Sequence, residues 1–141
     1  MRGEIGRRFP LAVLGAAMLI FSGCASVPAD SPSSSIEGTD KPYVVTTMPS
    51  GGEYNVPRFS RIEIRFSHLM DSGRMPGFEM YGGGMTIPGQ LRWIDPMTLA
   101  FRPDEPLKAG YTYQCFLKDG RSKAGEELMG VPYIWVFTAG D

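Results

Sequence analysis

The sequence predicts an all-β fold, a single antiparallel β-sandwich of about seven strands. Three observations carry this. From residue 43 on, apolar positions alternate with period two, the period at which successive side chains leave opposite faces of a strand. Among the chain's 12 prolines and 18 glycines, those beyond residue 43 recur every few residues and leave no window for a helix. These turn signals also cut the roughly 100 residues of the domain into short segments of strand length.

The first segment is 43–47, closed by Pro49 and Gly51-Gly52, where proline pre-sets its own φ and glycine admits positive φ without cost. The second, 61–66, is the clearest: Ile62, Ile64 and Phe66 fall on one face and charged residues on the other, the pattern of a half-buried antiparallel strand. Segments 77–81 and 89–94 follow, the latter offering Leu91 and Trp93 to the core. The segment 97–102 repeats the alternation, and 111–117 sets Tyr111, Tyr113, Cys115 and Leu117 on one side. The last, 133–138, turns Trp135 and Phe137 inward. Seven such strands in one domain of this size indicate an Ig-like sandwich. Tyr113, two residues before Cys115, holds the place of a tyrosine corner, with its hydroxyl bonding backbone near residues 107–110. Cys115 itself is expected as a small buried hydrophobe.

Ahead of the domain stand two further segments. Residues 1–23 show a basic start with Arg2, Arg7 and Arg8, an apolar run over 9–21, and the small pair Ser22-Gly23 before Cys24, the parts of a secretory signal. The run is shorter than the about 20 residues that hydrocarbon requires, so a transmembrane anchor is the poorer reading. Phe21-Ser22-Gly23-Cys24 resembles the bacterial lipobox, with Phe21 where leucine is usual. That resemblance implies that Cys24 carries a covalent lipid and begins the mature chain. Two or more acyl chains hold a protein stably on a membrane. In such lipoproteins an aspartate after the cysteine favours retention at the inner membrane, so in a host with an outer membrane the resemblance, with Ala25 there, implies that membrane, the domain facing the periplasm or the cell surface. The alternative is an ordinary cleaved signal with Cys24 a stray thiol. Residues 24–42 then form a serine- and proline-rich tether, reaching roughly 20 to 25 Å if flexible and about 55 Å if extended.

Four stretches within 43–141 resemble the S-layer-type bacterial Ig-like domain: 48–57 (Met-Pro-Ser-Gly-Gly-Glu-Tyr-Asn-Val-Pro), 64–71 (Ile-Arg-Phe-Ser-His-Leu-Met-Asp), 101–103 with 106–113, and 133–138. They occur in the family's order. Asp119 and Ala124-Gly125 fit the loop before the last strand, while Glu126 stands where that family has asparagine. The resemblance implies a binding or structural accessory of the cell envelope, its partner an envelope protein or polymer.

Charge and chemistry narrow the function classes. Loss of the leader removes Arg2, Arg7, Arg8 and Glu4, leaving eleven basic and fourteen acidic residues, a balance that gives no electrostatic case for nucleic acid. With Cys24 acylated, Cys115 has no disulfide partner and stability rests on the core. The chain has one histidine and shows neither a nucleophile triad nor paired carboxylates on a rigid element, so no enzyme is expected. Gly82-Gly83-Gly84 precedes no helix and reads as a flexible loop rather than a phosphate site.

Two candidate sites remain. Met70, Met75, Met80 and Met85 recur every five residues after His68, and soft thioether sulfurs with an imidazole suit Cu(I). A methionine-rich insert at this place is also similar to copper-resistance protein C-type carriers, which implies a periplasmic copper carrier as the alternative function. The same methionines also serve as core and loop filler; a copper site requires at least three of the five side chains to converge. The second candidate follows from alternation alone: with Trp135 and Phe137 inward, Ile134 and Val136 face out, joined by Phe116. Either the loop 118–131 covers this apolar stripe or it is a partner face, the more so because a last strand is often a sheet edge.

Overall fold

The computed structural model describes residues 40–141; Cys24, the leader and most of the tether lie outside them. Nine strands appear: β1 (Val44–Met48), β2 (Glu53–Val56), β3 (Ile62–Phe66), β4 (Phe78–Gly82), β5 (Met85–Thr86), β6 (Gly89–Asp95), β7 (Thr98–Pro103), β8 (Thr112–Leu117) and β9 (Tyr133–Ala139). They form a four-stranded sheet in the order β1-β3-β7-β6 and a five-stranded sheet in the order β2-β9-β8-β4-β5. All seven expected strands are present. The two additional ones, β2 and β5, are too short to show an alternation.

Most pairings are antiparallel, but β2 runs parallel to β9. This corrects two expectations at once: the sheet is mixed, and β9 is flanked on both sides instead of forming an edge. The turn between β1 and β2 makes it possible. Gly52 takes φ +81° and its N–H donates to the Val136 carbonyl at 2.7 Å, which carries the chain across to the second sheet.

Between the sheets, alternation fills the core as the sequence requires. Ile62, Ile64 and Phe66 from β3 and Leu99 and Phe101 from β7 meet Tyr113, Cys115 and Leu117 from β8 and Trp135 and Phe137 from β9. Tyr113 stacks on Phe137 at 5.6 Å between centroids and Phe78 lies 4.9 Å from Phe101, offset contacts that aromatic rings favour. Leu91 and Trp93 pack against the core but stay half-buried, because β6 is the sheet's edge and has neighbours on one side only. Tyr111 lies just before β8 and is exposed, so it does not join the inward row.

The tyrosine corner is present. The Lys108 N–H donates to the Tyr113 hydroxyl at 2.8 Å, fixing the approach to β8. Beside it, the glycine triplet is not a flexible loop. Gly82 ends β4, and Gly83 and Gly84, at φ +60° and +81°, form the two-residue turn of a hairpin into β5. Turns with both central residues at positive φ match the twist of the flanking strands, and glycine takes that conformation without strain.

The loop 118–131 closes one end of the sandwich. Met70 bridges to Ser122, the Leu128 N–H donates to the Gly120 carbonyl at 2.9 Å, and both Met70 and Leu128 are buried there. Leu128 is the loop's buried apolar residue at that end, while Met129 and Val131 stay exposed.

Candidate binding face

The copper candidates separate. Met70 and Met80 are sealed in the core at 1 % and 0 % exposure, Met70 under the 118–131 loop and Met80 on the inward side of β4. Met75 and Met85 are exposed but flank opposite ends of β4, a strand whose five residues span roughly 13 Å at about 3.3 Å per residue. Each lines a different cavity, Met75 with Asp71 and Trp93, Met85 with Leu107 and Tyr111. His68 is half-buried with its Nδ1 2.7 Å from the Ser67 hydroxyl. The five-residue period therefore distributes its sulfurs between core and surface; it does not gather three of them into one site.

The apolar stripe, by contrast, is assembled by register. β8 pairs with β4 on one side and β9 on the other, so Phe116 lies opposite both Glu79 and Ile134, and Gln114 opposite both Tyr81 and Val136. Two rows of three side chains result, across three adjacent strands, and directly opposed residues on a shared face stand about 5 Å apart at Cβ. Ile134 is 47 % and Val136 39 % exposed. Phe116 is half-buried, because the Tyr81 ring meets it edge-on at 5.5 Å on the same face. The 118–131 loop packs around Met70 and leaves Ile134 and Val136 open.

The rim is polar and ordered. Glu79 holds Lys118 at 2.6 Å and accepts the Tyr81 phenol proton. The bonds to Lys118 and then Tyr81 lower the Glu79 carboxyl below its ordinary range, and the Lys118 ammonium and Tyr81 phenol are raised by the same carboxylate. Tyr81 and Glu79 were not singled out from sequence, though the signal was there: they alternate with Met80, which points inward. What the alternation of one strand does not contain is the register that sets Tyr81 beside Phe116.

The arrangement offers an apolar strip bounded by an ion pair and a phenol. It holds no nucleophile beside a base, and among the described residues no three His, Cys, Asp or Glu side chains form a group that could hold a metal ion. Cys115 lies in the core with burial pushing its thiol up to about 12, which leaves it protonated and inert.

Several solved structures share the fold. The chain is similar to domains 1–6 of the surface layer protein SbsC, with TM-score 0.55 and 15 % identity, over 74 % of this chain and 14 % of that one. It is similar to the LD transpeptidase LdtMt1 in complex with imipenem, with TM-score 0.54 and 14 % identity, over 71 % of this chain and 40 % of that one. The third is CopC from Methylosinus trichosporium OB3b, with TM-score 0.50 and 16 % identity, over 70 % of this chain and 93 % of that one. At these identities the likeness is one of fold alone. No curated protein matches the chain in sequence. The model of one family does match, over residues 38–139, and nearly the whole described domain falls within it. By that match the chain belongs to the bacterial Ig-like domain family.

Proposed function

We propose that this protein is a lipoprotein of the cell envelope, anchored through Cys24, that presents its Ig-like domain to an envelope partner and performs no catalysis. The observation that carries the binding role is the uncovered apolar strip of Phe116, Ile134 and Val136 on interior strands of the five-stranded sheet. A partner meets the face of this sheet, because β9 offers no free edge for strand addition. The lipobox-like sequence before Cys24 supports the anchor, and the fold shared with a surface layer protein supports the envelope setting.

Two experiments test the two halves. Cells fed labelled palmitate incorporate label into the wild-type chain and sediment it with membranes; Cys24→Ala loses both, and retention of label in that variant refutes the anchor. For the face, a photo-crosslinking residue at Val136 yields one discrete adduct in intact cells, and the same probe at Gln90 on the other sheet does not. Ile134→Asp, an exposed change that leaves the core intact, abolishes the Val136 adduct. Adducts of equal yield from both sheets, or an adduct indifferent to Ile134→Asp, refute the binding face.

A further inference from the structure

The outer face of the four-stranded sheet is built from different residues. Its register places Ala100 on β7 between Glu63 on β3 and Arg92 on β6, and places Arg102 opposite Gln90. Ala100 points outward yet is only 4 % exposed. Arg61, Arg92, Arg102 and Phe59 stand around it and wall a concavity of about 230 Å³. Arg65 lies further along β3, opposite Thr98. Four arginines thus share the face with one acid, Glu63, which is bound by Arg61. Among the described residues, Arg65, Arg92 and Arg102 have no ion-pair partner.

The nearest other acids do not neutralise them. Asp95, at the end of β6, has its carboxylate turned to the Met97 N–H at 2.7 Å; Asp104 and Glu105, beyond the end of β7, share a cavity with Arg102 but form no ion pair with it among the described residues. The described residues carry eleven basic and twelve acidic side chains, so the arginines are segregated to this face and are not the overflow of a basic protein. Exposed apolar groups stand among them: Phe59 is 85 % exposed, and Met48, opposite Glu63 on β1, is 64 % exposed.

We propose that this arginine face docks on the phosphates of an anionic phospholipid surface. Guanidinium groups match phosphate oxygens with two parallel donors each. Phe59 and Met48 supply what a bilayer interface, unlike a soluble acidic polymer, can receive: apolar side chains entering the headgroup region between the phosphate contacts. The path of the chain points the same way. The polypeptide enters the domain through β1, a strand of this same sheet, so a lipid anchor ahead of the domain would attach on the side of this sheet. Surface charges act over only about 8 Å at physiological salt, so the arginines engage on contact and not at a distance. Docked in this way, the domain lies flat, with the strip of Ile134 and Val136 turned away from the membrane toward its partner. The docking deepens the proposed function by fixing the orientation of the domain, but it does not require the acyl group.

The test therefore removes the lipid. The chain from residue 24 onward, carrying Cys24→Ser, is sedimented at low salt with vesicles of phosphatidylcholine alone and of phosphatidylcholine with equimolar phosphatidylglycerol. Binding to the anionic vesicles only, reversed by added salt, is expected. Arg92→Glu with Arg102→Glu weakens it about tenfold or more, Arg92→Lys with Arg102→Lys keeps most of it, Phe59→Ser reduces it, and Ile134→Asp leaves it unchanged. Equal binding to neutral vesicles, or no loss in the double glutamate variant with an unaltered circular dichroism spectrum, overturns the proposal. So does binding of soluble dextran sulfate with none of vesicles, which assigns the face to an acidic polymer. Because Cys24 is absent throughout, failure here leaves the reading of the anchor standing.

Discussion

Tyr113 shows how much one side chain can decide in a sandwich of this size. Its ring stacks on Phe137 inside the core while its hydroxyl receives the Lys108 N–H, so one residue ties the loop before β8 to the inner face of β9. Tyr113→Phe keeps the ring and abandons the backbone donor, and a loss of about 1 kcal/mol in denaturant unfolding is expected. Gly82 faces the same ring: a Cβ there would lie 2.4 Å from Tyr113 Cε1. Gly82→Ala must displace the ring from its stack, so it is expected to cost more than Tyr113→Phe although it adds only a methyl group. A Tyr113→Phe variant as stable as the wild type would mean that the corner bond contributes nothing, and a Gly82→Ala variant less damaging than Tyr113→Phe would mean that the ring is free to move. The corner was legible in the sequence from the spacing of Tyr113 and Cys115, whereas the close approach of Gly82 was not. A glycine contributes nothing to an alternation pattern, and the contact exists only because β4 pairs with β8 at Gly82 and Tyr113.

Strands with several alternating residues were readable one by one, and their partners were not. The period-two pattern places Ile134 and Val136 outward from β9 alone, but the pairing of β2 with β9 depends on Gly52 reaching across to Val136, a non-local contact with no sequence period. The methionine series is dispersed for the complementary reason. A five-residue spacing looks regular in sequence, yet it alternates phase on a strand of period two, and so Met80 enters the core while Met75 and Met85 lie beyond the strand's two ends. At this scale the rim of the apolar strip gives a pH prediction. The folded Glu79 carboxyl is held below its ordinary value, first by Lys118 and then by Tyr81. Its contribution is therefore complete above the unfolded value and lost as pH falls through the lowered folded one. A carbonyl-detected NMR titration is expected to show Glu79 protonating below the ordinary carboxylate range. Lys118→Ala moves that midpoint upward; a midpoint unmoved by the substitution means the pair does not form in solution.

For the whole molecule, the single thiol within the core provides a measure of how cooperatively the two sheets hold together. Cys115 is fully buried on a central strand, opposite Met80 on one side and Trp135 on the other. Burial raises it from 9.0 to about 12, so both access and ionisation oppose its reaction in the folded state. Reaching it requires parting sheets joined by one continuous core, and no smaller opening suffices if the domain unfolds as a unit. In the Cys24→Ser chain, thiol labelling is then expected to follow global unfolding, with the same midpoint in urea as loss of the β-sheet circular dichroism signal. Val136→Asp leaves the labelling rate nearly unchanged, and Phe137→Ala, which hollows the core beside it, accelerates labelling in step with a loss of about 3 to 5 kcal/mol. The same thiol sets the alkaline limit. Its raised value favours the protonated folded state, a contribution present below 9.0 and lost as pH climbs toward about 12, so stability falls across that window. Replacing Cys115 with alanine flattens the fall at some cost in packing. Labelling well below the unfolding midpoint would instead show that β4 or β9 separates from β8 alone, and that the five-stranded sheet, with its apolar strip, opens independently of the arginine-bearing sheet behind it.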